Sequence, residues 1–147
     1  MDIKLSKSQY SQMYKEASEK TKWYITIPKA FAIGGLICMI GEAFLNMYSH
    51  YGLSEKNAGT ATSITLILLS AIFTGFGLYD RIAKHGGAGT LVPITGFANS
   101  VVAPAIEFKT EGFVLGLGAK IFIISGPVIL YGTLASVVYG LIYYIFK

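Results

Sequence analysis

One cysteine in 147 residues, Cys38, has no partner for an internal disulfide, which excludes the stapled scaffolds of small secreted proteins. Charge is scarce as well. Asp, Glu, Lys and Arg make up 14% of the chain and hydrophobic residues 53%, whereas a soluble domain is about a quarter charged. With a mean hydropathy of +0.56, the composition excludes an ordinary soluble globule and defines an all-α, polytopic integral membrane protein. Only two histidines occur, His50 and His85, and neither has a cysteine or acidic neighbour at metal-ligand spacing. The sequence also lacks a nucleophile elbow, an H-E-x-x-H helix and a P-loop. We therefore expect no enzyme, no catalytic residue, no metal and no cofactor. The basic stripe with interleaved aromatics that marks nucleic-acid modules is missing too, so no nucleic-acid partner is expected. The length leaves room for one domain.

What is present begins with an amino-terminal charge bias. Six lysines among the first 29 residues face Asp2, Glu16 and Glu19, a local +3 within the formal +4 of the whole chain. Each juxtamembrane cation attracts anionic lipid by about 1 kcal/mol, which points this segment at the bilayer surface. Unlike a cleavable signal, it puts about thirty mixed polar residues before the first apolar run, so the amino terminus is expected to be retained. Tyr10, Met13, Tyr14, Ala17, Thr21 and Tyr24 recur at three- and four-residue spacing, which predicts an amphipathic helix on the membrane or on a partner. Residues 1–29 are read as an amphipathic cytoplasmic segment, and residues 30–147 as the transmembrane region of a single membrane domain. Trp23, Tyr24, Pro28 and Lys29 form the interfacial belt at its entrance.

The first span is predicted from Ala30 to Met47 and the second from Thr60 to Tyr79, each near the ~20 residues that cross a bilayer. The flanks carry +3 before the first span and +1 after the second, against zero for Glu55 with Lys56. The positive-inside rule then puts the amino terminus and the Asp80–His85 loop in the cytoplasm. Gly89 to Ile106 holds Thr90, Thr95, Asn99 and Ser100 with Pro93 and Pro104. If Thr90 caps a helix, Pro93 falls in its first turn, and Pro104 bends the segment near its end. A kinked or interrupted third span is the first expectation and a re-entrant hairpin the second. Gly112 to Phe146 is too long for one plain crossing and is broken at Ser125, Gly126 and Pro127. One long bent span or two halves are expected there. The count is then about four crossings, with interrupted or re-entrant segments after Gly87 and Lys147 on the cytoplasmic side. Small residues at four-residue spacing, such as Gly132, Ser136 and Gly140, let helix backbones approach closely and favour an oligomer.

Polar groups at membrane depth are the candidate functional residues, because lipid tolerates them only beside protein or a water-filled cavity. Glu42 lies on a line with Gly34, Cys38 and Asn46. A carboxylate there costs a few kcal/mol unless it faces a partner or a lumen. It either lines a path or snorkels from a span end. Lys120 either pairs with Glu42 or draws anions into a path. Asn99 and Ser100 supply an amide and a hydroxyl that either bond a neighbouring helix or line a cavity, and Thr90 and Thr95 are further candidate lining residues. Gly86, Gly87 and Gly89 precede a helix start whose free N–H groups attract anions, or they form an ordinary loop. Together with Gly126 and Pro127 they are the candidate backbone anion site or hinge.

Three stretches carry a family resemblance: Gly34–Glu42 (GGLICMIGE), Phe73–Ser100 (FTGFGLYDRIAKHGGAGTLVPITGFANS) and Glu107–Phe122 (EFKTEGFVLGLGAKIF). They resemble the SpoVA-family membrane proteins of spore-forming bacteria, in the SpoVAC/SpoVAEb branch, from about Lys29 to near Tyr139. The resemblance implies a subunit of the spore inner-membrane apparatus that moves dipicolinic acid, a small flat dicarboxylate, with calcium, into the forespore and out at germination. It also implies other SpoVA membrane subunits and a soluble SpoVA protein as partners. No residue role is carried over by position. An anion route suits Thr90, Thr95, Asn99, Ser100 and Lys120, with Glu42 and Glu107 left for calcium or gating. Two other readings stay open: a tension-gated pore without selectivity, and a scaffold that anchors the soluble partner through the amino-terminal helix.

Overall fold

The computed structural model describes residues 7–17 and 22–146. Among these, every regular element is helical: α1 (Lys7–Ala17), α2 (Trp23–His50), α3 (Glu55–Gly75), α4 (Leu78–Gly86), α5 (Ala88–Leu91), α6 (Ile94–Glu107) and α7 (Ala119–Phe146), the last preceded by a π-helical turn over Phe113–Gly118. Three helical stretches are long and apolar enough to cross a membrane: Trp23–His50, Glu55–Gly75 and the continuous Phe113–Phe146. The chain is an integral membrane protein.

The amino-terminal helix forms over Lys7–Ala17, with Tyr10, Met13 and Tyr14 exposed. Thr21 lies outside the described residues, and Tyr24 belongs to the first turn of α2. α2 starts at Trp23 rather than Ala30 and runs through Pro28. Pro28 frees only the carbonyl of Tyr24, close to the helix start, where the structural cost is small. α2 and α3 run antiparallel, with Gly41 against Leu66 and the Tyr48 hydroxyl 2.7 Å from Thr65 Oγ1.

The second span is displaced from its predicted bounds of Thr60–Tyr79. It begins at Glu55, after extended Ser54, and stops at Gly75, because Gly77 adopts a left-handed φ of 67° that favours glycine. Tyr79, the predicted end of that span, consequently lies beyond it. It is buried on α4, while Asp80, Arg81, Lys84 and His85 of the same helix are exposed. α4 packs on both α3 and α2, and α5 packs on α2.

The segment after Gly87 is the re-entrant alternative rather than a kinked third span. α6 has 14 residues, about 21 Å at 1.5 Å per residue, too short for ~30 Å of hydrocarbon. Its direction is fixed by two contacts: Ser70 bonds the Thr95 carbonyl and Thr74 bonds Asn99. Both helices advance four residues between these contacts, so α6 runs parallel to α3. The intervening chain must first double back into the membrane, and it does so through α4, α5 and Pro93. The tip of this hairpin lies ~7.5 Å inside the end of α3, five residues from Gly75. α6 then leaves on the face where α2 begins. α7 packs against α6 and crosses from there, which puts Phe146 on the opposite face from the start of α2. Three helical stretches of spanning length thus accompany a re-entrant segment after Gly87, as the expectation of about four spans with interrupted or re-entrant segments allows; Lys147 itself lies outside the described residues.

Two local expectations are corrected. Pro93 does not sit in the first turn of a helix capped by Thr90: it adopts an extended ψ of 161° and α6 starts after it, while Thr90 Oγ1 donates back to the Gly87 carbonyl at 2.9 Å. The break expected at Ser125, Gly126 and Pro127 does not occur, because α7 continues through them. Ser125 bonds the Ile121 carbonyl at 2.7 Å. The irregularity lies earlier, in the π-helical turn, where Leu117 N–H reaches the Gly112 carbonyl at 2.8 Å. One long stretch results.

Packing is inverted relative to a soluble domain. The largest fully buried side chains are Thr90, Ser70 and Ser125, whereas Phe31, Phe113 and Leu115 are more than 80% exposed. Lipid removes the hydrophobic drive between helices, and hydroxyls and small residues take over their contacts.

Candidate functional site: a hydroxyl knot and a polar spanning face

The hairpin is fastened by polar side chains. Tyr79 Oη donates to the Thr90 carbonyl at 2.7 Å and contacts Thr95 Oγ1 at 3.2 Å. Ser70 Oγ donates to the Thr95 carbonyl at 2.6 Å. Thr74 Oγ1 lies 2.7 Å from the Ser70 carbonyl and 2.8 Å from Asn99 Oδ1. These groups come from α3, α4 and the two limbs of the hairpin. Sequence reasoning missed Tyr79, Ser70 and Thr74. A signal was present: Ser70 and Thr74 repeat the four-residue step of Thr95 and Asn99, as a matched ladder between two helices requires.

The predicted residues therefore separate into groups. Thr90, Thr95 and Ser100 are buried and Asn99 is half-buried. Ser100 Oγ bonds the Phe97 carbonyl at 2.7 Å. Thr95 and Asn99 thus meet side chains of neighbouring helices, whereas the Thr90 and Ser100 hydroxyls bond carbonyls three residues back in their own segments. Gly89 lies in the short α5, packed against α2. A Cβ there would overlap the Ala30 carbonyl, and Gly34 approaches it from the same helix. Gly86 is likewise closed in by Ile33 and Thr90, and Gly87, with φ +47°, makes the corner between α4 and α5. The Gly87 N–H is taken by the Ala83 carbonyl and the Thr90 N–H by the Gly87 carbonyl. Gly126 makes only ordinary contact with Phe122.

Glu42 and Asn46 stand apart from the knot. α2 packs through Ile33, Ile37, Gly41, Phe44 and Tyr48, whereas Gly35, Cys38, Glu42, Asn46 and Ser49 form an exposed stripe. Asn46 Nδ2 donates to Glu42 Oε1 at 3.2 Å. Glu42 is eight residues from His50, ~12 Å inside that end of the helix. Lys120 does not pair with it among the described residues. Half-buried, its ammonium sits 4.6 Å from the centroid of the Phe108 ring, a cation–π contact between α7 and the end of α6.

Replacing Tyr79 with phenylalanine removes a hydroxyl whose partners are buried. We expect destabilisation of about 1–3 kcal/mol, read as a lower melting temperature of the detergent-solubilised protein. An unchanged melting curve would show that the Thr90 carbonyl is satisfied otherwise.

Helices of spanning length, a surface suited to lipid and polar groups held at membrane depth define a polytopic α-helical membrane protein with one polar spanning face. The chain belongs to the SpoVAC/SpoVAEB sporulation membrane protein family, which matches residues 26–142. It is 45% identical to stage V sporulation protein AC of Bacillus subtilis (strain 168) over 142 residues, 96% of this chain and 95% of that protein. No solved structure matches it.

Proposed function

We propose that this protein is a subunit of an oligomeric conduit in the spore inner membrane that passes dipicolinate, with calcium, into the forespore and out again at germination, its amino terminus on the cytoplasmic face. The observation that carries this reading is the exposed Glu42–Asn46 pair on α2, within a helix that crosses the bilayer. An ionised carboxylate facing hydrocarbon is expensive, and such residues face an interior or a water-filled path. Copies of α2, or α2 against another SpoVA subunit, supply that interior. Thr90, Thr95, Asn99 and Ser100 then hold the hairpin in shape beside the path, and Lys120 stands at its amino-terminal face. Other SpoVA membrane proteins and a soluble SpoVA protein complete the assembly.

The test is flux. Vesicles containing the protein, alone and with its membrane partners, are loaded with dipicolinate and its release is followed. Release of dipicolinate at least tenfold faster than of a neutral solute of similar size supports the reading. Equal release of both solutes under applied tension favours an unselective tension-gated pore. Intact flux with lost recruitment of the soluble partner, after deletion of residues 1–20, assigns the amino-terminal segment to scaffolding.

A further inference from the structure

Between α2, α3 and α4 lies a cleft of about 150 Å³, whose occupant the transport reading does not supply. Ile33, Ile37 and Ile40 wall it on one side, and Leu66, Leu69 and Phe73 on the other. Ser70, Tyr79 and Thr95 also reach it, but their hydroxyls are engaged in the knot or by Thr90. No polar ligand finds a free partner among these hydroxyls. The rim is open, with Leu36 57% and Ile40 42% exposed, on helices that cross the membrane. A volume of this order accepts a benzene-sized apolar body, comparable to a short section of a hydrocarbon chain.

Depth and charge identify the hydrocarbon. Lys29 precedes Ile33 by one turn on the same face of α2, and Ile40 lies eleven residues beyond Lys29. That distance is ~16 Å, half of a ~30 Å hydrocarbon layer and thus one leaflet deep. At the mouth, α4 brings Ile82 to the cleft with exposed Arg81 beside it and exposed His85 one turn on. Lys84 is already paired with Asp80 at 3.1 Å. We propose that this cleft is a lipid site: it seats one acyl chain of an anionic phospholipid of the leaflet where α2 begins, with the headgroup held by Lys29 and Arg81. The lipid fills the gap between the two packed spans and the hairpin, so its chain touches the elements that the hydroxyl knot ties together.

Native mass spectrometry of the full chain tests this, using detergent-purified protein supplied with equal amounts of phosphatidylglycerol and phosphatidylcholine. One phosphatidylglycerol per chain is expected to survive, at least fivefold over phosphatidylcholine. Leu36→Trp, which fills the open rim, and Leu69→Trp, which fills the wall, should each lower its occupancy at least fivefold. Ile64→Trp, on an exposed face of α3 outside the cleft, should leave it unchanged. The double variant Lys29→Gln/Arg81→Gln should bring the two lipids to parity. Retention of detergent alone overturns the site. So does phosphatidylglycerol retention that is unaffected by Leu36→Trp or equally reduced by Ile64→Trp. Parity of the two lipids on the unmodified chain overturns the headgroup assignment.

Discussion

A valine at Gly89 is expected to remove the folded protein from the membrane, cutting its steady-state level more than tenfold on an immunoblot of membrane fractions. The Cβ would overlap the carbonyl oxygen of Ala30, and its next neighbours are the Ala30 carbonyl carbon and Cα. All of these are backbone atoms of a spanning helix, which has no rotamer to change. Gly34 closes the same contact from α2, where a Cβ would stand 3.1 Å from Gly89 Cα and O. Overpacking costs about 1–3 kcal/mol where side chains can yield. Here we expect about 3 kcal/mol or more, a large share of a total stability of roughly 5–15 kcal/mol. Gly35→Ala is the control. Nothing lies within 4 Å of that position, and a helical Gly→Ala change is worth about 0.5–1 kcal/mol in the favourable direction. Equal losses from Gly35→Ala and Gly89→Val would mean that α2 tolerates no change, and the close crossing would lose its special status.

Glu42→Leu is expected to separate abundance from function. An exposed carboxylate on a spanning helix costs about 2.5–3.5 kcal/mol on insertion scales, and leucine removes that cost. The protein should insert at least as well as before. On the transport reading, dipicolinate content of spores, and efflux from reconstituted vesicles, should nevertheless fall more than tenfold, because the polar group proposed to keep the path wet is gone. Glu42→Gln should fall between the two: it keeps an oxygen for the Asn46 amide and loses the charge. Full dipicolinate loading in the Glu42→Leu strain, with normal protein level, would remove α2 as the lining of the path.

The two substitutions probe different layers of the molecule. Gly89 belongs to the way the hairpin is docked, and Glu42 to a face that the chain leaves uncovered. The distal part of α7 is largely exposed as well. Gly132 and Gly140 have nothing within 4 Å, and Tyr139, Tyr143 and Phe146 are all exposed.

The candidate residues were legible in sequence as polar groups out of place in an apolar run, and their separation into two groups was not. Thr95, Asn99 and Glu42 have the same signature in one dimension: a hydrogen-bonding side chain at membrane depth. Thr95 and Asn99 find partners 25 residues away on α3, whereas Glu42, among the described residues, meets Asn46 one turn along its own helix. No property of the residue itself announces which of these will happen.

By itself the sequence determined what depends on neighbours within a turn or two. The apolar runs made α2, α3 and α7 helical and long enough to cross, and the charge content committed the chain to lipid. Tertiary structure alone decided the direction of α6, the inward turn of Tyr79 and the close crossing of Gly89 over Ala30. In lipid these contacts are made by hydrogen bonds and backbone proximity between distant segments, and hydrophobic periodicity, which reports only the environment of a face, carries no record of which polar group meets which.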